Sequence, residues 1–264
     1  MLAMDPGGVV SNVPGIPTKE PAFGLDALWI GKGQKEEAEI AGYTVVDLPT
    51  VMATHLTEII RTHAFELFGR QEADALIENF KKNYPKVVGE LIPDVLSLGS
   101  VVKVLQNLLK EQVSIRDLLT IFETLADEGH KQKDTEVLTE SVRKALARSI
   151  TQKYSNDQGE INVMTLAPRV EELVSNSLLQ TEQGVQLVMD PRQAQGILTQ
   201  ISKTIEMHPE IAGQPILLTS GTARRHLFKL TNRFLPQVIV LSHNEISSDA
   251  RIQAVGLVEM GHAG

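Results

Sequence analysis

Cysteine is absent from the 264 residues, so neither a disulfide framework nor a thiolate zinc site is available, which fits a reducing compartment such as the cytosol. Long apolar runs are missing too. None approaches the roughly 18 residues that a bilayer-crossing helix needs, and Met1 is followed by LAMDPGG rather than by a basic and then apolar leader, so a soluble chain is expected. Positive charge is in deficit: 25 Lys and Arg stand against 33 Asp and Glu, a formal net charge of -8, which gives no general attraction to nucleic acid or to an anionic membrane face. Catalytic signatures are lacking as well. The chain has no G-x-S-x-G elbow, no Gly-Lys-Ser/Thr phosphate loop and no dinucleotide glycine spacing. Aromatics make up only 4% of residues, and the single tryptophan lies beside a phenylalanine in Lys19 to Ile30, KEPAFGLDALWI. Phe23 and Trp29 therefore either fill a small core or offer a docking surface.

What is present reads as several segments, since 264 residues is long for one compact core. Met1 to Asp47 is Gly- and Pro-rich, with strand-like runs at Ala27 to Ile30 and Tyr43 to Val46 around the charged stretch Lys32 to Glu39, a small α/β element; GKGQK within it reads as a turn. From Leu48 the apolar spacing is helical through Val51, Met52, Leu56, Ile59, Ile60 and Leu67. His55 and His63 lie on or beside this stripe. They stand eight apart with no carboxylate cluster, so they read as packing or hydrogen-bonding groups, and no metal is expected.

Arg70 to Lys153 reads as short helices with apolar faces that need each other, broken at Tyr84-Pro85, Ile92-Pro93 and Glu128-Gly129. One of them starts at VSIRD, where Ser114 and Asp117 have the spacing of a capping box. After the polar boundary YSNDQGE the pattern alternates: INVMTL as strand, Arg169 to Leu179 as helix, VQLVMD as strand, Arg192 to His208 as helix, PILLTS as strand and TARRHLFKLTNRFL as helix, with QVIVLS and IQAVGLVEM as closing strands. The expected class is mixed: a small α/β element, a central helical subdomain and a C-terminal α/β subdomain with a partly parallel sheet. Arg224, Arg225, Lys229 and Arg233 read as a solvated basic helix face rather than a nucleic-acid surface. Ser220 and Gly221 open a helix whose N-terminus could meet a phosphorylated ligand, a minor reading, and SHNE at Ser242 to Glu245 reads as a strand-end turn.

The strings LAMDPG, EPAFGLDALWI, GYTVVDLPTVMATHLTEII, ELFGRQE, KVLQNLLKEQVSIRDLLTIFETLAD and LPQVIVLSHNEI, in this order over almost the whole chain, resemble the cytoplasmic domain of the FlhA/InvA family of type III export-gate proteins. The resemblance implies four cytoplasmic subdomains, the second inserted within the first. Residues 1–47 would be most of the second, 48–68 the returning helix of the first, 69–153 the helical third and 154–264 the α/β fourth. It also implies that a membrane-embedded N-terminal half, a linker and the start of the cytoplasmic region are missing, which fits a start that reads like the middle of a domain. The protein would then sit at the cytoplasmic face of the bacterial inner membrane, touching the membrane only through the missing half. It would form a nine-membered ring, meet other export-apparatus proteins, and dock export chaperones carrying late flagellar substrates, with no catalysis, no cofactor and no nucleic acid. The alternative is a ring-forming module of a virulence secretion system whose docking site lies elsewhere. In this family an Asp, a Phe and a Thr carry chaperone docking; the matching positions here are Glu20, Phe23 and Thr54, in EPAFGLDA and VMATH. Glu20 keeps the charge of the aspartate on an arm one methylene longer. The resemblance assigns Phe23 to docking and leaves Trp29 to the core.

Overall fold

The computed structural model describes residues 1–181 and 184–260, which divide into two compact units, Met1–Leu67 and Phe68–Gly264. In the first unit β1 (Leu2–Met4), β2 (Ile16–Lys19), β3 (Asp26–Trp29) and, beyond α1 (Lys35–Ile40), β4 (Thr44–Val46) form an antiparallel sheet in the order β2-β3-β1-β4. Two small apolar clusters hold it. Ala38 and Ala41, at the end of α1, pack with Ala3, Ile30 and Tyr43, whereas Val51 of α2 (Leu48–Thr62) packs with Leu2, Ala27 and the half-buried Trp29. Asp47 starts α2 by accepting the Thr50 N–H at 2.9 Å, with Pro49 in the first turn, where it needs no donor. A short α3 (Ala64–Leu67) ends the unit. The helical stripe read from the sequence exists but is mostly uncovered: Val51 is buried, while Met52 and Leu56 remain 63% and 58% exposed.

The second unit opens with α4 (Arg70–Lys81), α5 (Pro85–Glu90), α6 (Leu98–Lys110), α7 (Leu118–Gly129), α8 (Thr135–Ala145) and α9 (Ala147–Tyr154). Asp117 rather than a Ser114 capping box starts α7. Its carboxylate accepts the Thr120 N–H at 3.1 Å, while the Ser114 hydroxyl only closes a local turn onto Arg116. Then follow β5 (Glu160–Leu166), α10 (Pro168–Asn176), β6 (Leu178–Thr181), β7 (Gly184–Leu187), α11 (Pro191–Met207), α12 (Pro209–Ala212), β8 (Ile216–Thr219), α13 (Gly221–Phe234), β9 (Ile239–Ser242) and β10 (Arg251–Val258).

The main sheet has the order β10-β5-β8-β9, and its pairings are all parallel. Alternation along its strands divides the core. Ile161, Val163, Ile216 and Leu218 pack with the α6–α9 side chains, whereas Met164, Leu166 and Leu217 pack with α10, α11 and α13. The helical segment and the sheet therefore share one continuous core. Two readings need correction. The helix expected to reach Leu179 stops at Asn176, and VQLVMD contributes not to the main sheet but to a separate antiparallel hairpin of β6 and β7. Val188 N–H donating to the Ser177 carbonyl at 2.8 Å closes the hairpin at its base.

Candidate functional site

The β2–β3 connection is built around Glu20. Its carboxylate accepts the N–H of Ala22 at 2.9 Å and of Phe23 at 2.7 Å, its own N–H donates to the Leu25 carbonyl, and its carbonyl accepts Gly24 N–H. Gly24 has φ +72, a left-handed geometry that favours glycine. With four hydrogen bonds closing the loop inward, the phenylalanine between them points out. Phe23 is 62% exposed, while Glu20 is only 3% exposed.

Thr54 projects from α2 onto the same surface. Phe23, Ala53, Thr54, Thr57, Glu58 and Arg61 line an open concavity of about 470 Å³. Glu58 and Arg61 pair at 2.8 Å on its rim, and the Thr57 hydroxyl turns back to the Ala53 carbonyl at 2.7 Å. Phe23 and Thr54 are thus brought together as expected. Glu20 is not. The reading of Glu20 as a rim carboxylate facing a partner is corrected: burial takes it off the surface, and its carboxylate holds the turn that carries Phe23. Thr57, Glu58 and Arg61 went unread, although positions 54, 57, 58 and 61 share one face of any helix. An aromatic anchor, two hydroxyls and one surface ion pair suit recognition. Among the described residues no group of three or more potential metal ligands exists, and His63 is hydrogen-bonded to Glu66 at 2.9 Å.

The other sites weighed from sequence fare differently. The N-terminus of α13 already faces an anion, since the Glu171 carboxylate accepts Ser220 N–H at 3.1 Å. Nor is the basic face of α13 simply solvated. Arg224 is fully buried, with its guanidinium against Glu111, Glu140 and Glu245, and the Nε–Glu140 contact measures 2.7 Å. Arg143, likewise buried, reaches Glu111 at 2.8 Å and Glu245 at 3.1 Å, and the Ser242 hydroxyl donates to Glu245 at 2.8 Å. SHNE is therefore a short 3₁₀ turn that delivers a buried carboxylate. Burial holds the Glu140 carboxyl above the usual carboxylate range; at Glu111 burial pushes the same way but Arg143 and Arg224 together outweigh it, leaving that carboxyl low.

His226 supplies a pH-dependent term. Burial, reinforced by Arg225 and Lys229, pushes its imidazole down to about 4, and its Nε2 accepts from Arg225 Nε at 3.0 Å. An unfolded histidine titrates near 6.5, so between about pH 6.5 and 4 the unfolded chain binds the extra proton. Stability from this group is complete above pH 6.5 and declines as pH falls toward 4, by about 1–2 kcal/mol after solvent screening. Urea unfolding across that window should show the decline, and His226→Gln should flatten it; an unchanged slope in the variant would refute the assignment.

Residues 1–251 match the FHIPEP family. The chain belongs to the FHIPEP family. Its FHIPEP relatives include the flagellar biosynthesis protein FlhA of Bacillus subtilis, 42% identical over 259 residues, and that of Escherichia coli, 42% identical over 257. Those matches cover 98% and 97% of this chain but only 38% and 36% of the relatives, so the chain spans little more than a third of their length. Among solved structures, the Chlamydia pneumoniae CdsV protein superposes with a TM-score of 0.87 at 31% identity, covering 98% of this chain and 75% of that one. Nonameric SctV-C of EPEC gives 0.79 at 29% identity, covering 97% and 77%. The mixed α/β class expected from the sequence is that of these structures. No helix among the described residues is long and apolar enough to cross a membrane.

Proposed function

We propose that this FHIPEP chain is the cytoplasmic docking platform of a type III protein export gate. It receives export chaperones loaded with late flagellar substrates at the concavity of Phe23 and Thr54, and it performs no catalysis. The observation that carries this reading is an aromatic side chain held out in solvent by a turn whose every bond faces inward. Water opposes such exposure, and a partner that covers the ring removes the penalty. Identity near 42% to flagellar proteins, against about 30% to the secretion proteins CdsV and SctV, supports the flagellar system over the virulence one.

The same reading divides the chain into residues 1–47 as the second cytoplasmic subdomain, 48–68 as the returning helix of the first, 69–153 as the third and 154–264 as the fourth. The exposed stripe on α2 supports the idea that this helix belongs to a larger layer. In the whole protein the domain would join a nine-membered ring at the bacterial inner membrane among other export-apparatus proteins. SctV-C, a nonamer, supports that part. The test is titration of the purified chain with export chaperones, empty and substrate-loaded. Saturable binding of the loaded complexes is expected, whereas self-association without binding of any chaperone would favour a purely ring-forming module.

A further inference from the structure

The longest strand of the main sheet is also its edge. β10 stands at the end of the order β10-β5-β8-β9 and pairs with β5 alone among the described residues. Burial does not alternate along its first half: Arg251, Ile252, Gln253 and Ala254 are all exposed. Since successive strand side chains point to opposite faces, neither face is covered there.

The backbone shows which groups are free. Arg251 N–H donates to the Gly159 carbonyl at 3.5 Å, and the Val258 carbonyl accepts Ala167 N–H at 3.0 Å, so both residues turn toward β5. Alternate residues of a parallel ladder bond to the neighbouring strand. Gln253 and Gly256 therefore turn inward, while Ile252, Ala254 and Leu257 turn outward with no backbone partner among the described residues.

Such an edge is a template for another strand, and this one has few of the usual guards. It carries no proline or lysine, and Ile252 to Val258 are uncharged between Arg251 and Glu259. Its one guard is a bulge at Val255, where the register with β5 shifts. That shift aligns Ile252 with Ile161 and Leu257 with Thr165, so the two side chains share a face although five residues apart. They remain 43% and 49% exposed.

We propose that β10 pairs antiparallel with β10 of a second copy of this chain, across a two-fold axis between Ala254 and Val255. Two features of the strand are self-complementary in this register. Ile252 meets the second copy's Leu257, and the reverse, so the outward apolar residues are covered twice. Arg251 comes within one residue of the second copy's Glu259, again twice, and neither charge has an ion pair among the described residues. A two-fold contact repeats every such match. An eight-residue strand pair buries less than the roughly 1,200 Å² of a stable interface, so the dimer is weak and depends on concentration. It does not rest on the Phe23 concavity.

Sedimentation equilibrium of the 264-residue chain, from dilute protein to about 1 mM, tests this. A reversible monomer–dimer equilibrium is expected. Ala254→Pro removes an N–H that β5 does not use, and Leu257→Lys puts a charge on the edge, so each should abolish the dimer. Arg251→Glu should weaken it about tenfold, and adding Glu259→Arg should restore the parent value; Phe23→Ala should change nothing. In hydrogen exchange the amides of Ile252, Ala254 and Leu257 should be open in dilute protein and slow as concentration rises, while those of Gln253 and Gly256 stay protected throughout. Circular dichroism checks the fold of every variant, and where Ala254→Pro does not fold, Leu257→Lys decides. A monomer at every concentration, association that survives Leu257→Lys, charge reversal without rescue, or a dimer lost in Phe23→Ala would each overturn the proposal.

Discussion

Arg224→Met is expected to lower the unfolding free energy by about 3–5 kcal/mol, the usual result of removing one partner from a buried ion network. Methionine fills most of the volume, so lost packing is the smaller effect. The larger one is electrostatic: Arg143 alone would then face Glu111, Glu140 and Glu245, three carboxylates that are largely or wholly out of water. Protonation relieves that excess. With Arg224 gone the Glu140 carboxyl rises further above its unfolded value and Glu111 loses one of the two cations that hold it low, so the variant gains relative stability as pH falls, and its deficit against the parent should be smaller at pH 5 than at pH 8. Glu140→Gln added to Arg224→Met should restore part of the loss for the same reason. Urea unfolding of the three proteins at both pH values decides the matter. A deficit below about 1 kcal/mol, or one independent of pH, would mean that the network is solvated enough to tolerate the missing charge.

Phe23→Ala should reduce affinity for a chaperone–substrate complex by about 2 kcal/mol or more, the range of an aromatic anchor at the centre of an interface. It should leave the thermal midpoint nearly unmoved. A core phenylalanine cut to alanine costs about 3–5 kcal/mol of stability, but a ring that is 62% exposed leaves no comparable cavity behind. Glu20→Ala is expected to approach Phe23→Ala in binding, because it removes the acceptor of two backbone N–H groups and frees the loop; Thr54→Ala removes one rim hydroxyl and should do less. Titration and thermal unfolding on the same preparations separate these outcomes. If Phe23→Ala collapses the midpoint while the remaining folded protein binds normally, the docking role fails.

Much of the helical segment was legible because burial there follows local periodicity: Val101, Leu105 and Leu108 of α6 and Ile121, Phe122 and Leu125 of α7 are fully buried, as their spacing requires. Periodicity does not say what covers a face, and α2 illustrates this with a regular stripe that stays in water. Arg224 was illegible for a different reason. Its helix reads as a basic face, and the acids that bury it lie 84 and 113 residues away, at Glu140 and Glu111, where no local pattern reaches. The role of Glu20 was hidden similarly, since a carboxylate in a turn can face outward or fold back onto its own backbone, and sequence does not distinguish the two. Phe23 and Trp29 could be told apart only through the family motif, until geometry placed one ring outside and the other against Leu2, Ala27 and Val51.

The central strand β5 acquires one of its neighbours late. Ile161 pairs with Ile252 of β10, so about 90 residues must be looped out before the two strands meet. Closing a flexible loop of that size costs about 4 kcal/mol of chain entropy before any contact offsets it. The α6–α9 helices face no such barrier, since their contacts are near in sequence, and local contacts form fast. The unit is therefore expected to assemble in order, with amides of residues 98–154 protected first and those of β5 and β10 last in pulsed hydrogen exchange. Until that closure β5 presents an unpaired edge and a half-covered apolar face, and this interval is when the chain is most exposed to mispairing with another copy of itself.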